Sequence, residues 1–240
     1  MSSKKTAKDA SASRALTTAT ATATATAPAA APGVRQQRKA ETRAQLKQAA
    51  RALFAERGFA ATQVADITRR VGAAYGTFYV HFADKDVLLD ELLAEYNAAL
   101  LGRLERAFDP AQALSDPVAA ARRLAEACLE HWRRERGLVT AFVQRAGLDG
   151  SIAGLRDGLS PPAAQFLATR LGALARALGS ALGPEDAELV AHAVLGMWSR
   201  IGLRYLFGAG LGRARAADLL ATMTIGALRA AIPELQEAAR

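Results

Sequence analysis

The sequence predicts an all-α protein, and three observations predict it. Apolar residues recur at helical spacing from residue 35 onward. The intervals between these stretches carry Gly, Pro and Asp, residues that end and cap helices. Outside a Thr/Ala-rich opening segment, β-branched residues never cluster with period-two alternation, so no strand is expected. The expected architecture is an N-terminal three-helix domain containing a helix-turn-helix, followed by a helical bundle.

Residues 1–34 form a basic tail rich in Ala and Thr, and the run from Thr17 to Ala27 is almost wholly these two residues. Such a composition buries too little apolar surface to offset ordering entropy, so this tail is expected to be disordered. From Arg35, Leu46, Ala49, Ala50, Leu53 and Phe54 line one face of a long amphipathic helix. Gly58 can take the left-handed position that stops it, with Phe59 packing back on Phe54 as in a Schellman motif. Thr62 is the candidate N-cap of a second helix, Thr62–Val71, which Gly72 ends. A turn at Gly72–Ala73 leads to a third helix, Ala74–His81, with Ala74, Phe78 and Phe82 on one face. Asp84 then caps a fourth helix through Leu88, Leu89, Leu92, Leu93 and Tyr96, and Asp86 and Asp90 favour its N-terminal end. Further helices fill 84–240, broken near Asp109–Asp116, Gly137, Gly147–Pro162, Gly183–Pro184 and Gly208–Gly212. Pro117 and Pro184 suit first-turn positions. The three expected segments are thus 1–34, 35–83 and 84–240.

Charge separates these segments. The chain carries a net charge of +8, and residues 1–83 hold 13 Lys/Arg against 4 Asp/Glu, whereas the remainder holds 18 against 19. Excess positive charge confined to the first third suits a polyanionic partner, nucleic acid or a membrane surface, or else a solubilising tail. The basic first helix leads into a capped turn instead of facing a Leu/Trp/Phe membrane stripe, which favours DNA. Cys128 is the one cysteine, so no intrachain disulfide forms and a reducing, cytoplasmic setting is expected. No segment reads as a membrane span or a secretory leader. No nucleophile–base set, CxxC, phosphate-cradling glycine loop or HExxH occurs, and His131 and His192 stand alone. Neither an enzyme, a cofactor nor a metal site is expected.

The second and third helices, joined by a tight glycine turn, form a helix-turn-helix candidate. With Ala74, Phe78 and Phe82 inward, Tyr75, Gly76, Tyr79 and Val80 face outward and Thr77 lies at the flank. Such a face is a poor solvated surface and a good one against a DNA groove, where glycine permits close approach and hydroxyls meet phosphates and base edges. The alternative is that both tyrosines pack on a neighbouring domain.

The run from Glu41 to about Leu93 resembles the DNA-binding domain of the tetracycline-repressor (TetR) family. The resemblance rests on Leu53, Phe54, Glu56-Arg57-Gly58-Phe59, Thr62, Val64, Ile67, Val71-Gly72, Gly76-Thr77-Phe78-Tyr79, His81-Phe82, Lys85 and Leu88-Leu89. It covers about a fifth to a quarter of the chain. Two positions depart from the family pattern: Ala74 replaces a small polar capper and Tyr75 replaces a frequent lysine. The resemblance implies that Thr62, His81 and Lys85 meet backbone phosphate. It also implies that Tyr75, Gly76, Thr77 and Tyr79 lie in or beside the major groove, and Ala73 and Ala74, at the turn, are expected DNA-binding residues with them. The fourth helix then links this head to a body that binds a ligand.

For the body, the resemblance implies a homodimer on near-palindromic double-stranded DNA, with a small-molecule cavity. Candidate cavity residues are Cys128, Trp132, Phe142, Phe166, Met197 and Trp198; the bland reading is ordinary core. Candidate dimer residues are Val190, Val194, Met197, Ile201 and Tyr205 on one stripe and Leu219 and Met223 on another, with Gly196 and Gly202 allowing close approach. Both stripes are otherwise accounted for by the monomer core.

Overall fold

The structure, a computed structural model, describes residues 32–148 and 161–237. The tail 1–31 and most of the break expected at Gly147–Pro162 lie outside the described residues. By compactness the chain divides after Arg38. In the first unit the described residues are the opening turns of helix α1, which begins at Pro32, three residues before the expected onset. The second unit is Lys39–Arg240.

The helices are α1 (Pro32–Arg57), α2 (Val64–Arg70), α3 (Tyr75–His81), α4 (Lys85–Ala107), α5 (Pro110–Ser115), α6 (Pro117–Arg134), α7 (Arg136–Leu148), α8 (Pro161–Ala177), α9 (Pro184–Phe207), α10 (Arg213–Ala231) and α11 (Glu234–Glu237). No strand occurs among the described residues. The chain is all-α, as its periodicity predicts.

Local chemistry sets each boundary. Gly58 has φ +83° and its N–H donates to the Phe54 carbonyl at 3.0 Å. That single bond is the simpler left-handed cap and not the Schellman pair, because the Phe59 N–H donates instead to Gln144 Oε1 on α7, at 2.8 Å. The Phe54 and Phe59 rings still meet, 5.4 Å apart. Gly72 stops α2 with φ +67°. Asp84 accepts from the Val87 N–H, and Asp109 and Asp116 cap α5 and α6 in the same way, each followed by proline.

Helices α1, α2, α3 and α4 join through Leu46, Phe54, Ile67, Phe78, Phe82 and Leu89, all fully enclosed, in a core that continues into α6, α7, α9 and α10. Outside this core α1 and α4 carry opposite charges at one-turn spacing. Arg43 pairs with Glu91, Lys47 with Glu91 and Glu95, and Arg51 with Glu95 and Glu135. Helix α7 approaches α1 so closely that a Cβ on Gly137 would fall 2.3 Å from the Ala55 Cβ. In the body α6, α8, α9 and α10 share a second apolar cluster around Leu171, Ala191, Ala221 and Ile225.

Candidate nucleic-acid interface and ligand cavity

On α3, Phe78 points into the core, and the helical period turns its neighbours outward. Tyr75, Tyr79 and Val80 are 56%, 49% and 65% exposed. The two tyrosine rings meet edge to face at 5.4 Å and their hydroxyls lie 2.9 Å apart. That hydrogen bond holds the Tyr79 hydroxyl above the usual phenol range, so it stays a neutral donor. Gly76 is exposed, and a Cβ there would meet nothing within 4 Å. No packing inside the chain therefore requires glycine at this position. Thr77 is half-buried at the flank.

Other expected contacts are occupied internally. Thr62 is buried, and its hydroxyl donates to the Gly58 carbonyl at 2.7 Å. The cap of α2 is Gln63, whose N–H donates to Asp66 Oδ2 at 3.1 Å. The spacing Gln63-x-x-Asp66 carries that signal, because it puts an acid at the third helical residue and Thr62 does not. Ala74 caps α3 without a side-chain bond, and the helix starts one residue later than its sequence suggests. The Ala73 N–H donates to the Thr68 carbonyl at 2.9 Å.

Lys85 donates to the carbonyls of Phe59 and Thr62 at 2.8 and 2.9 Å and lies 4.1 Å from the Phe59 ring centre. Its ammonium ties the α1–α2 turn to the start of α4, and burial lowers its pKa. His81 is half-buried, and its Nδ1 has no hydrogen-bond partner among the described residues. Burial, then the nearby Lys39 and Arg43, hold this imidazole below its usual range, so it is neutral at pH 7. Of the expected contacts, Tyr75, Gly76, Thr77 and Tyr79 thus share one outward face, whereas Thr62 and Lys85 do not reach it. Arg69 on α2, with its side chain 75% exposed, is a cation that the sequence reading passes over.

A partly open cavity of about 80 Å³ lies between the end of α4 and helices α5, α6, α8, α9 and α10. Phe166 and Trp198 line it, as expected. Cys128, Trp132 and Phe142 belong to the packed core and Met197 is half-buried, and none of the four joins the wall. Trp132 is seated on Gly202, where a Cβ would fall 1.2 Å from the indole. Gly202 therefore serves packing within the chain and not approach by a second copy. The wall also holds Arg170 and Thr224, and Trp198 Nε1 donates to the Thr224 hydroxyl at 2.8 Å. No trio of metal-ligating side chains gathers among the described residues, and no helix there is long and apolar enough to cross a membrane.

Of the expected dimer residues, Val194 is buried and lines the cavity, so it faces inward. Val190, Met197, Ile201, Tyr205 and Leu219 are half-buried, and Met223 is exposed. The outer faces of the two helices carry small residues instead: Ala193 and Gly196 on α9, and Thr222, Gly226 and Ala227 on α10. Leu189 stands beside them, 69% exposed.

Residues 46–92 match the sequence profile of "Bacterial regulatory proteins, tetR family". A 72-residue stretch is 38% identical to the HTH-type transcriptional repressor KstR2 of Mycolicibacterium smegmatis, covering 30% of this chain and 35% of that protein. The chain thus aligns with about a third of the length of this relative. The fold resembles a TetR-family regulator from Syntrophomonas wolfei with a TM-score of 0.61 at 15% identity, over 79% of this chain and 95% of the other. It also resembles Thermus thermophilus FadR, a TetR-family repressor solved with lauroyl-CoA, with a TM-score of 0.57 at 22% identity over 76% and 93%. The geometry of α1–α4 and the matched residues agree: residues 46–92 are similar to the domain shared by bacterial regulatory proteins of the tetR family.

Proposed function

We propose that the chain is a transcriptional repressor and not an enzyme. In this reading residues 35–83 are the DNA-binding head and 84–240 the ligand-binding and dimerising body. It binds a near-palindromic operator as a homodimer and is released by a small, largely apolar ligand.

The observation that carries this reading is the outward face of α3, where two half-exposed tyrosines and Val80 flank a glycine that no internal packing demands. Against a major groove, Gly76 permits close backbone approach, the phenols and Thr77 donate to phosphates and base edges, and apolar edges meet thymine methyls. Ala73 and Ala74 lie at the entry to this helix. Thr62, Lys85 and the neutral His81 act behind it, holding the turn that aims α3. The KstR2 relative is a repressor, which supports the direction of regulation.

A second copy supplies a second head, placed one groove repeat away at about 34 Å or a little more. The small-residue faces of α9 and α10 suit a close four-helix contact between copies. Release follows from the shape of α4. Its start packs in the head through Leu88 and Leu89, and its far end contributes Leu104 to the cavity. At about 80 Å³ the cavity is well below the roughly 300–1,000 Å³ of ordinary ligand sites, so a ligand that enters must push its walls outward. A ligand that favours the widened body by differential affinity draws the population away from the DNA-binding arrangement.

Selection from a random duplex pool, followed by titration of the selected site at two salt concentrations, tests the proposal. Affinity on the order of 10⁻⁸–10⁻¹¹ M with steep salt dependence is expected. Equal affinity for a scrambled duplex would refute it.

A further inference from the structure

Helix α8 turns one face to the cavity, and Ala163, Phe166, Leu167, Leu171 and Leu174 form its apolar stripe. Arg170 sits within that stripe and is the one charged residue among the described residues of the wall. Its guanidinium carbon lies 5.2 Å from the ring centres of both Phe108 and Phe166. Its Nε is buried and has no hydrogen-bond partner among the described residues. The other polar groups of the wall, the Trp198 indole N–H and the Thr224 hydroxyl, are bonded to each other.

A guanidinium cannot shed its proton, and it stays charged wherever it is placed. Two aromatic faces return part of the lost solvation, but they accept no hydrogen bond along the guanidinium edge. A partner that satisfies the buried Nε–H together with a neighbouring Nη–H of this half-buried residue is an anion with two oxygens in one plane, the geometry that an arginine fork matches. A singly charged group balances one arginine, whereas a phosphate dianion would leave uncompensated negative charge among apolar walls. From these observations we propose that the ligand of this cavity is an amphipathic carboxylic acid. Its carboxylate pairs with Arg170, and its hydrocarbon body lies against Phe166, Leu171 and Trp198. This assignment rests on the reading of the cavity as the ligand site and adds to it the chemical class.

The test compares matched acids and alcohols on the full chain by calorimetric titration: hexanoate with hexanol, decanoate with decanol, and 4-phenylbutyrate with 4-phenylbutanol. Wild type is expected to prefer at least one acid over its alcohol by about tenfold or more. Arg170→Leu is expected to erase that preference while retaining the alcohol. Arg170→Gln, also neutral, replaces it if the leucine variant does not fold. Because the readout is a ratio within one protein, general loosening of the body does not produce it. Equal binding of acid and alcohol to wild type, or a preference that survives loss of the arginine, overturns the carboxylate assignment and leaves an apolar ligand site. Absence of binding by every pair overturns both. Acid binding that leaves operator affinity unchanged sinks release by ligand but leaves the carboxylate assignment intact.

Discussion

The exposed face of α3 and the exposed faces of α9 and α10 differ in kind. The face of α3 is large and amphipathic, with phenol rings whose hydroxyls can donate outward. The outer faces of α9 and α10 carry small residues, Ala193, Gly196, Thr222, Gly226 and Ala227, with Leu189 and Met223 exposed beside them. A groove lined with phosphates and base edges rewards donors on rigid rings. A second helix of the same chain rewards short side chains, because small residues let backbones approach. Exposure alone does not identify a partner; the chemistry of what is exposed does.

The largest effect is expected from Gly196→Glu. No atom lies within 4 Å of a Cβ at this position, so the monomer should fold normally. A charge placed in a tightly packed contact costs several kcal/mol, so dimerisation should weaken about 100-fold or more, and operator affinity with it. Sedimentation and circular dichroism together check this; an unchanged dimer would show that the small-residue face is not the contact. Tyr79→Ala should act in the opposite sense. The dimer stays intact and operator affinity falls about 10- to 100-fold, or about 1.4–2.8 kcal/mol, by titration on the selected duplex. Affinity equal to wild type would remove the α3 face from consideration. Gly76→Ala sharpens the contrast further. Alanine in a helix should raise stability by about 0.5–1 kcal/mol in urea unfolding, while the added methyl weakens operator binding. A variant that gains stability and loses no affinity would mean that the backbone does not approach the groove there.

The smallest effect concerns pH and two imidazoles, His81 at the end of α3 and His131 on α6. His131 and His81 are both held below the usual imidazole range, in each case first by burial. The unfolded chain then binds more protons than the folded one as pH drops below about 6.5, so the stability these neutral rings provide is present above that value and is lost below it. Urea midpoints at pH 7.5 and 5.5 should show the fall, and His131→Gln should reduce it. A pH difference unchanged by that substitution would assign the loss to other groups.

What the sequence makes legible is what neighbours in the chain decide. The stop at Gly58, the cap at Asp84 and the outward tyrosines all follow from residues within one or two helical turns. The internal bonds of Lys85 are not legible because its carbonyl partners lie 26 and 23 positions away, and an exposed lysine and a folded-back one look alike in sequence. The cavity is half legible for the same reason. Trp132 and Trp198 have equal claims by composition, and only the glycine at 202, on a different helix, sends Trp132 into the core. Arg170 escapes notice because a single charge in an apolar stripe reads as a residue at the solvent edge.

The Phe59 N–H is completed by Gln144, eighty-five positions downstream, and Arg51 is completed by Glu135. Gly58 ends the first helix locally, but the turn that follows is completed by a residue of α7. Heads grafted from one family member to another should inherit a mismatch here unless the recipient's seventh helix also provides a glutamine at the Gln144 position and a glycine at the Gly137 position. A chimera carrying this head on another body should regain its thermal stability when those two positions are restored together.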